Sequence, residues 1–448
     1  MVNITSAVRR VKDDLPQLLT PIVEQALREH PDHVWRNRVL NPLVTILLFV
    51  QQVMHGNTAI THLRHLSESP FTAAAYCKAR QRLPRCLIER VANLVIRQLQ
   101  PAGESTYRWR GHRVWHGDGT GFSMPDTPAL RQRFGLPSGQ KPGCGFPVAT
   151  VLVLCDAAGF IVKTLAAPLR THEASQLALL HAAMEAGDVL VYDRAGCSYT
   201  HLALLNRRGL HGILRMHQRQ KVSFRAGRRR RAQLPKAQRK GAPTSQWLER
   251  LGPRDQCVRW FKPAQRPTWM SRAEYEALPE SLVLRELRYR VEQPGFRTKA
   301  VTLVTTLVDS QEYPKAELAE QYQKRWGIEV NFRHLKQTMG MDVLKCRSVD
   351  GVLKELAVFA LVYNLVRLVM LLAAEQQGVP PDRISFIDAL RWLRDAASDP
   401  AEMRLTVHPH RPGRLEPRVK KRRPKQYPLM NQPRDELRQA LKCEGLRA

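Results

Sequence analysis

The chain lacks the sequence features that hold small secreted or metal-built domains together. Its eight cysteines are scattered, and no two of them form a C-x2-C or C-x4-C pair. This argues against a zinc knuckle and a disulfide framework, and scattered thiols fit a reducing compartment. The N-terminal stretch MVNITSAVRRVKDDLPQ is charged and contains no apolar core, so no signal peptide is visible.

Acidic residues are scarce relative to basic ones. Asp and Glu number 40 against 71 Lys and Arg, which gives a formal net charge of +31 and a pI of about 10.5. Such an excess argues for a polyanionic partner, most simply DNA or RNA, although a merely basic soluble protein is the alternative. A length of 448 residues, 43% of them hydrophobic, favours a sizeable core and several domains.

One long apolar run, from Leu356 to Ala374, is nearly long enough to span a bilayer. Asn364 and Arg367 lie near its middle, and inserting a central arginine costs about 2.5–3.5 kcal/mol. We therefore predict a buried helix, and no membrane partner.

The first 108 residues predict helices. Apolar residues recur at helical spacing in Leu40–Val50 and again in Leu87–Ile96. Lys78, Arg80 and Arg82 lie between these clusters, which suggests a small DNA-binding helical domain. A helical scaffold with a solvated basic face remains the alternative.

From residue 109 the pattern alternates between strands and helices, which is typical of an α/β fold. Asp156–Gly159 is expected to form the turn of a hairpin. The predicted strands are Arg113–Asp118, Pro147–Cys155, Gly159–Leu165, Val189–Asp193 and Gly212–Met216, and the predicted helices are Glu173–Ala186 and Tyr199–Arg208.

The middle of the chain breaks this alternation. Gln218–Gly241 is polar and basic and predicts a loop or mobile arm, whereas Leu282–Asp309 has strand-like runs. A further helix is predicted from about Lys315 to Thr338. The expected organisation is a helical DNA-binding domain (1–108), the first part of a catalytic core (109–216), a β-rich insertion (217–310), the second part of the core (311–345), and C-terminal helices with a basic tail (346–448).

Three carboxylates are candidates for catalysis. Asp118 and Asp193 are expected at strand ends, where α/β proteins bind ligands, and Glu329 lies on the late helix. If the first and fourth strands are neighbours, the aspartates face each other, and a cation would relieve their repulsion. Mg²⁺ takes carboxylates and phosphate oxygens, and two such ions about 3.5–4 Å apart can activate a water or a 3′-hydroxyl. The alternatives are turn-forming or helix-capping aspartates, and a Glu329 that pairs with Arg325 or Arg333.

The late helix also carries phosphate-binding chemistry. Tyr322, Arg325, Glu329 and Lys336 follow one another at spacings of three, four and seven. On an ideal helix these four lie within about 60° of one another. Cations and a hydroxyl on that stripe can bind a phosphate, and a surface salt-bridge ladder is the rival interpretation.

Three motifs together resemble those of DDE transposases of the insertion-sequence family 4 group. The first is His116-Gly-Asp-Gly-Thr-Gly-Phe-Ser-Met-Pro-Asp126, followed by Phe134-Gly and Gly143-Cys-Gly-Phe-Pro147. The second is Tyr192-Asp-Arg-Ala-Gly-Cys-Ser-Tyr199, and the third is the full Y-x2-R-x3-E-x6-K signature from Tyr322 to Lys336. Tyr363-Asn-Leu-Val-Arg367 and the basic tail are also similar to the family.

The resemblance implies an RNase H-like mixed-sheet core interrupted by a β-rich insertion. It implies Mg²⁺, as two ions for which Mn²⁺ can substitute, held by Asp118, Asp193 and Glu329. It further implies nicking at the ends of an insertion sequence and attack of the freed 3′-hydroxyl on target DNA, possible formation of a DNA hairpin, and a homodimer on paired double-stranded ends. A bacterial cytoplasmic protein associated with the nucleoid is expected.

The same resemblance suggests DNA-contacting groups. Tyr322, Arg325 and Lys336 would hold phosphates of the terminal strand. Arg333 is a further candidate DNA-binding residue. The basic run, Arg228, Arg229, Arg230 and Arg231, is expected to contact phosphates, with a solvated tract as the alternative. Trp247, Trp260 and Trp269 are candidates for stacking on a flipped base. His116 and His172 are expected to be structural.

Two alternatives to a transposase stay open from the sequence. A nuclease on the same core could cut without joining. A transposase-derived regulator could bind DNA without cutting, although all three carboxylates are present.

Overall fold

A computed structural model describes residues 8–9, 15–30, 38–67, 70–99, 108–138, 141–171, 173–291, 300–395, 399–409 and 430–443. The basic tail at 411–425 and His172 lie outside these residues. The described strands are β1 (Arg108–Trp109), β2 (His112–Ser123), β3 (Val148–Asp156), β4 (Ile161–Pro168), β5 (Val189–Tyr192), β6 (His211–Arg215), β7 (Gln246–Gly252), β8 (Asp255–Phe261), β9 (Ser281–Arg290) and β10 (Ala300–Thr305).

Helices lie before, within and after the series of strands. The bounded helices described before the sheet are α1 (Leu15–Arg28), α2 (Pro42–Met54), α3 (Ile60–Leu63), α4 (Ala73–Arg82) and α5 (Arg85–Leu99). Within and after it come α6 (Pro128–Phe134), α7 (Glu173–Leu180), α8 (Tyr199–Arg207), α9 (Arg272–Glu276), α10 (Lys315–Lys324), α11 (Trp326–Arg333), α12 (Val349–Gln377), α13 (Phe386–Asp395) and α14 (Arg434–Cys443).

The strands form one mixed sheet in the order β4-β3-β2-β5-β6-β10-β9-β8-β7, with β1 paired to β2. β2, β3 and β4 are antiparallel neighbours, whereas β5 runs parallel to both β2 and β6. The mixed α/β architecture is therefore confirmed, and so is the neighbourhood of the first and fourth predicted strands.

The β3–β4 hairpin shows how local sequence sets the fold. Gly159 has a φ of +89°, a left-handed conformation that glycine adopts without strain. Asp156 closes the turn by accepting a hydrogen bond from the Phe160 amide at 2.8 Å. The predicted turn is confirmed.

The strands of the 217–310 segment continue the same sheet. β10 pairs antiparallel with β6, and β9, β8 and β7 follow outward from it. A buried ion pair lies within this extension, because Arg285 of β9 donates to both oxygens of Asp255 in β8. Arg285 also donates to the Tyr313 carbonyl and so connects the extension to the loop before α10. The β-rich segment thus adds four strands to one edge of the central sheet.

The two faces of the sheet carry different cores. Side chains alternate along each strand, so Val114 and Phe122 of β2 face one side and Trp115 faces the other. The first side packs against α10, α11 and α12 and, through α12, against the N-terminal helices. The second side packs against α7 and α8.

α12 is the predicted buried helix. By length and composition it could cross a bilayer, but 94% of its most apolar window is buried inside the protein. Its polar groups bond to the β3–β4 hairpin: Asn364 exchanges two 2.8 Å hydrogen bonds with the Ile161 backbone, and Arg367 donates to the Ala158 carbonyl. These contacts explain why asparagine and arginine interrupt an apolar run.

Three expected boundaries need correction. Asp118 does not end its strand, because β2 continues to Ser123 while paired with β3. The helix predicted from Glu173 to Ala186 ends at Leu180 and continues as a single 3₁₀ turn, His181–Ala183. The helix predicted from Lys315 to Thr338 is interrupted at Arg325 and ends in a π-helical turn, His334–Thr338.

Candidate active site

The two aspartates stand level with each other on neighbouring strands. β2 and β5 are parallel, and His116 pairs with Val191 as the last pair in register. Two residues further along each chain come Asp118 and Asp193, which therefore project from the same face of the sheet. Asp118 lies where the neighbouring strand β5 ends, although its own strand continues. The two aspartates therefore lie side by side at the end of β5, and their joint role in a site stays a prediction.

Local backbone bonds orient both carboxylates. Asp118 accepts a 2.9 Å hydrogen bond from the amide of Gly119, and Asp193 accepts one of 2.7 Å from the amide of Ala195. In each case one carboxylate oxygen is used locally, so the side chain has a fixed direction. The Asp193 bond is also the turn-forming role that the sequence left open.

Arg325 connects the facing helices to this pair. Its Nη1 donates to Asp118 Oδ2 at 2.9 Å, and its Nη2 lies 3.5 Å from Glu329 Oε1. The Arg325 side chain is only 6% exposed, whereas that of Glu329 is 47% exposed. The predicted pairing of Glu329 with Arg325 is thus present, and it occurs beside Asp118.

Burial and the neighbouring charged groups together set the pKa of Asp118. Burial raises the pKa of the Asp118 carboxyl above its usual range, and the carboxylates of Asp193 and Glu329 raise it further. The Arg325 guanidinium opposes this rise. All three predicted carboxylates therefore interact electrostatically around one arginine.

Tyr322 and Arg325 carry polar atoms that protein groups do not satisfy. The Tyr322 side chain is buried beside Arg325, whose guanidinium carbon lies 5.6 Å from the ring centroid. Among the described residues, neither the Tyr322 hydroxyl nor the Arg325 Nε has a hydrogen-bond partner. Buried donors without partners are rare, so these two atoms keep hydrogen-bonding capacity beside the carboxylates that the described residues do not use.

Lys336 and Arg333 lie further along the same helical segment. The ammonium of Lys336 is 5.1 Å from the centroid of the Phe122 ring, and burial lowers the pKa of this lysine. Phe122 and Asp118 are on the same face of β2, about 13 Å apart at strand spacing. Arg333 is exposed. Lys336 therefore shares the sheet face of the aspartates without touching them.

The three carboxylates have the chemistry of a divalent-metal site but are not gathered into one. Carboxylate oxygens are the ligands that hard divalent cations prefer. Within the described ranges, however, no three His, Cys, Asp or Glu side chains are grouped closely enough to hold an ion. Arg325 supplies positive charge between Asp118 and Glu329. The donor types therefore fit a metal, provided that the arginine yields its contact.

The basic run divides into two kinds of residue. Arg228 donates three hydrogen bonds inside the protein, to the Ser223 carbonyl and to the carbonyl and hydroxyl of Ser245. Arg230 stacks on Phe261, with 4.1 Å between its guanidinium carbon and the ring centroid. The donors of Arg228 are therefore used inside the protein, and Arg229 and Arg231 are the exposed members of the run.

The three tryptophans that are candidates for base stacking differ in exposure. Trp260 is buried and donates to Glu286 at 2.9 Å, so it is a core residue that is not exposed to a base. Trp247 and Trp269 are half-buried. His116 is buried, and burial lowers its pKa to about 4, in keeping with the structural role expected for it.

Two groups on the opposite face of the sheet from the aspartates were not predicted from the sequence. Tyr192 is fully buried on the other face of β5, and its hydroxyl donates to Glu173 at 2.5 Å. The glycines around Asp118 were the available signal, since repeated glycine inside a strand marks a close approach of another group.

The comparisons with known proteins agree with the motifs. Residues 109–365 match the family described as "Transposase DDE domain". The chain is 28% identical over 379 residues to "Transposase InsG for insertion sequence element IS4" of Escherichia coli (strain K12), which covers 80% of this chain and 79% of that protein. A cryo-EM structure of a piggyBac transposase synaptic complex with hairpin DNA aligns with a TM-score of 0.41 and 10% identity, covering 88% of this chain and 80% of that one.

Proposed function

The chain belongs to the DDE transposases of insertion-sequence family 4, and on this premise we propose that Asp118, Asp193 and Glu329 form its metal-dependent centre for DNA cutting and joining. The observation that carries the proposal is the placement of Asp118 level with Asp193, with Arg325 joining Asp118 to Glu329 from the facing helices. Strands β2–β6 would be an RNase H-like core, since their order is β4-β3-β2-β5-β6 and, among these five, only β3 runs antiparallel to the others.

The carboxylates would hold two Mg²⁺ ions, for which Mn²⁺ can substitute. When bound, such ions make a water or a 3′-hydroxyl a better nucleophile and stabilise the leaving oxygen. Arg325 would leave Asp118 and turn toward the DNA, where its guanidinium can donate hydrogen bonds to two oxygens of a phosphate. The unpartnered Tyr322 hydroxyl and the Lys336 ammonium would hold further phosphates of the terminal strand.

Two phosphoryl transfers would follow at this centre. In the first, a water oxygen bonds to phosphorus at the element end, and the P–O3′ bond breaks to leave a 3′-hydroxyl and a 5′-phosphate. In the second, that 3′-oxygen bonds to a phosphorus of the target strand. The P–O3′ bond of the target breaks and leaves a 3′-hydroxyl on the target strand. An intervening hairpin on the excised end, in a cut-and-paste route, would use the same transfer chemistry.

Double-stranded element ends and target DNA are the partners that this chemistry requires. The net charge of +31 supports binding to a polyanion, and the exposed Arg229, Arg231 and Arg333 are available for phosphates. We further propose a homodimer that pairs two ends, and action in the bacterial cytoplasm at the nucleoid.

A nuclease that cuts without joining is the competing enzyme. The deciding experiment supplies a pre-cut element end with a free 3′-hydroxyl, a supercoiled target plasmid and Mg²⁺. Joined products at the 3′-end are expected from the wild-type protein and not from Asp193→Asn. Cleavage of uncut ends without any joining of pre-cut ends would identify a nuclease, and binding without either product would identify an inert regulator.

A further inference from the structure

Two glycines enclose the ring of Tyr192 beneath the proposed metal site. A Cβ atom on Gly117 would lie 2.6 Å from Tyr192 Cδ2, and one on Gly196 would lie 2.8 Å from Cδ1. Real Cβ atoms do not approach so closely, so only glycine fits at either position. Gly117 directly precedes Asp118 and Tyr192 directly precedes Asp193, so the ring packs against the backbone of β2 directly beside Asp118.

A second element anchors this ring. The Tyr192 hydroxyl donates to Glu173 Oε1 at 2.5 Å, and Glu173 is the first residue of α7. The same carboxylate lies beneath Gly119, where an added Cβ would come within 3.3 Å of Oε1. Glu173 therefore adjoins the residue after Asp118 and binds the residue before Asp193.

This assembly lies on the face of the sheet opposite to Arg325. Successive side chains alternate across a strand, so Tyr192 points away from the face on which Asp193 projects. Its ring belongs to the core formed with α7 and α8. Tyr192 and Glu173 thus support the aspartates from below and do not compete with a ligand above.

We propose that Tyr192 and Glu173 are positioning residues that set the separation of Asp118 and Asp193 for metal binding. The proposal rests on the function proposed above, because it presumes that the aspartates hold the metal. Groups that orient metal ligands from behind typically change metal affinity by about 10–100-fold when they are removed. The ring supplies the spacing, and the bond to Glu173 prevents the ring from shifting.

The test is Mn²⁺ binding to the full-length protein without DNA, measured by titration with electron paramagnetic resonance. Tyr192→Phe and Glu173→Ala each remove the anchoring bond, whereas Glu173→Gln keeps an acceptor for the tyrosine hydroxyl. Tyr199→Phe is the matched control, because it deletes a buried tyrosine hydroxyl that donates to the Pro279 carbonyl in the same core. Asp118→Ala reports on the metal site itself.

We expect at least about a 10-fold rise in the Mn²⁺ Kd for Tyr192→Phe and Glu173→Ala, and wild-type values for Glu173→Gln and Tyr199→Phe. Unchanged affinity in the first two variants, with binding abolished in Asp118→Ala, would overturn this inference alone. Unchanged affinity in Asp118→Ala would overturn the proposed function instead. A loss in Glu173→Gln equal to that in Glu173→Ala would show that the carboxylate charge matters, which contradicts a positioning role.

Discussion

Arg325 Nη1 lies 2.9 Å from Asp118 Oδ2, so the arginine of the Y-x2-R-x3-E-x6-K signature neutralises a carboxylate of the proposed metal site. The same guanidinium reaches Glu329 and is almost entirely buried. One side chain thereby holds helix and strand together when no cation is bound. It also means that metal and Arg325 compete for Asp118.

Removing Arg325 should make the protein depend on metal for stability. Arg325→Ala leaves Asp118 buried without its cation, and breaking one side of a buried pair costs about 3–5 kcal/mol. Added Mg²⁺ should recover part of that loss, so its effect on Tm should be larger in Arg325→Ala than in the wild type. Thermal unfolding with and without Mg²⁺ measures this, with exposed Arg333→Ala as the control. Equal Mg²⁺ effects in Arg325→Ala and the wild type would contradict the competition.

The exposed half of the basic run should contribute to DNA binding through phosphates alone. Each phosphate contact adds about 0.9 to the slope of log K against log salt concentration. Arg229→Ser with Arg231→Ser should lower the slope by about one to two and weaken binding to all sequences similarly, as measured by fluorescence anisotropy. Arg228→Ser should instead lower stability, because its donors are used by Ser223 and Ser245. A salt slope that is unchanged in the double variant would remove these arginines from the interface.

A buried histidine pair predicts a loss of stability in mild acid. Burial lowers the pKa of His181 to about 4 and that of His201 well below its usual range, and the two Nε2 atoms are 3.4 Å apart. Between pH 6.5 and about 4 the unfolded imidazoles bind protons that the folded ones do not. The free energy of unfolding should therefore fall as pH falls, by up to about 1.4 kcal/mol per pH unit for each histidine.

Urea unfolding between pH 7.5 and pH 5 checks this dependence. His181→Leu should reduce the slope by the share of that histidine, whereas His62→Gln, at an exposed histidine, should leave it as in the wild type. If His181→Leu keeps the full slope, the dependence comes from other groups.

The sheet extension should depend on its internal ion pair more than on surface pairs. Arg285 and Asp255 are both buried and linked by two hydrogen bonds of 2.8 and 2.6 Å. Asp255→Ala should lower the free energy of unfolding by about 3–5 kcal/mol. Glu276→Ala removes the exposed pair with Arg272 and should cost less than about 1 kcal/mol. Comparable losses in the two variants, by chemical denaturation, would refute the distinction.

Local patterns were sufficient where neighbouring residues determine the structure. The Asp156–Gly159 turn follows from turn chemistry, and the buried α12 follows from its apolar run and central arginine. The sequence placed Asp118 and Asp193 opposite each other on the condition that β2 and β5 are neighbours; the two strands do pair, although Asp118 lies inside β2 and not at its end.

Contacts between distant residues were beyond those patterns. Nothing near Ala300–Thr305 indicates that this strand pairs with β6 and continues one sheet. The sequence around Arg228 predicts a surface charge, because its bond to the Ser245 carbonyl forms only in the folded chain. Likewise, the Tyr192 ring explains Gly117 and Gly196 only after folding brings the two segments together.

The central claim is that Asp118, Asp193 and Glu329 act as one metal-dependent centre, and cleavage of element-end DNA in Mg²⁺ tests it most directly. Rates would be compared for the wild type, Asp118→Asn, Asp193→Asn and Glu329→Gln, with end binding measured in parallel by gel shift. We predict that each substitution lowers cleavage by at least about 1,000-fold while binding stays within about threefold, since each removes a charge that acts on the transition state. A variant that cuts DNA at the wild-type rate would remove that carboxylate from the centre and contradict the account.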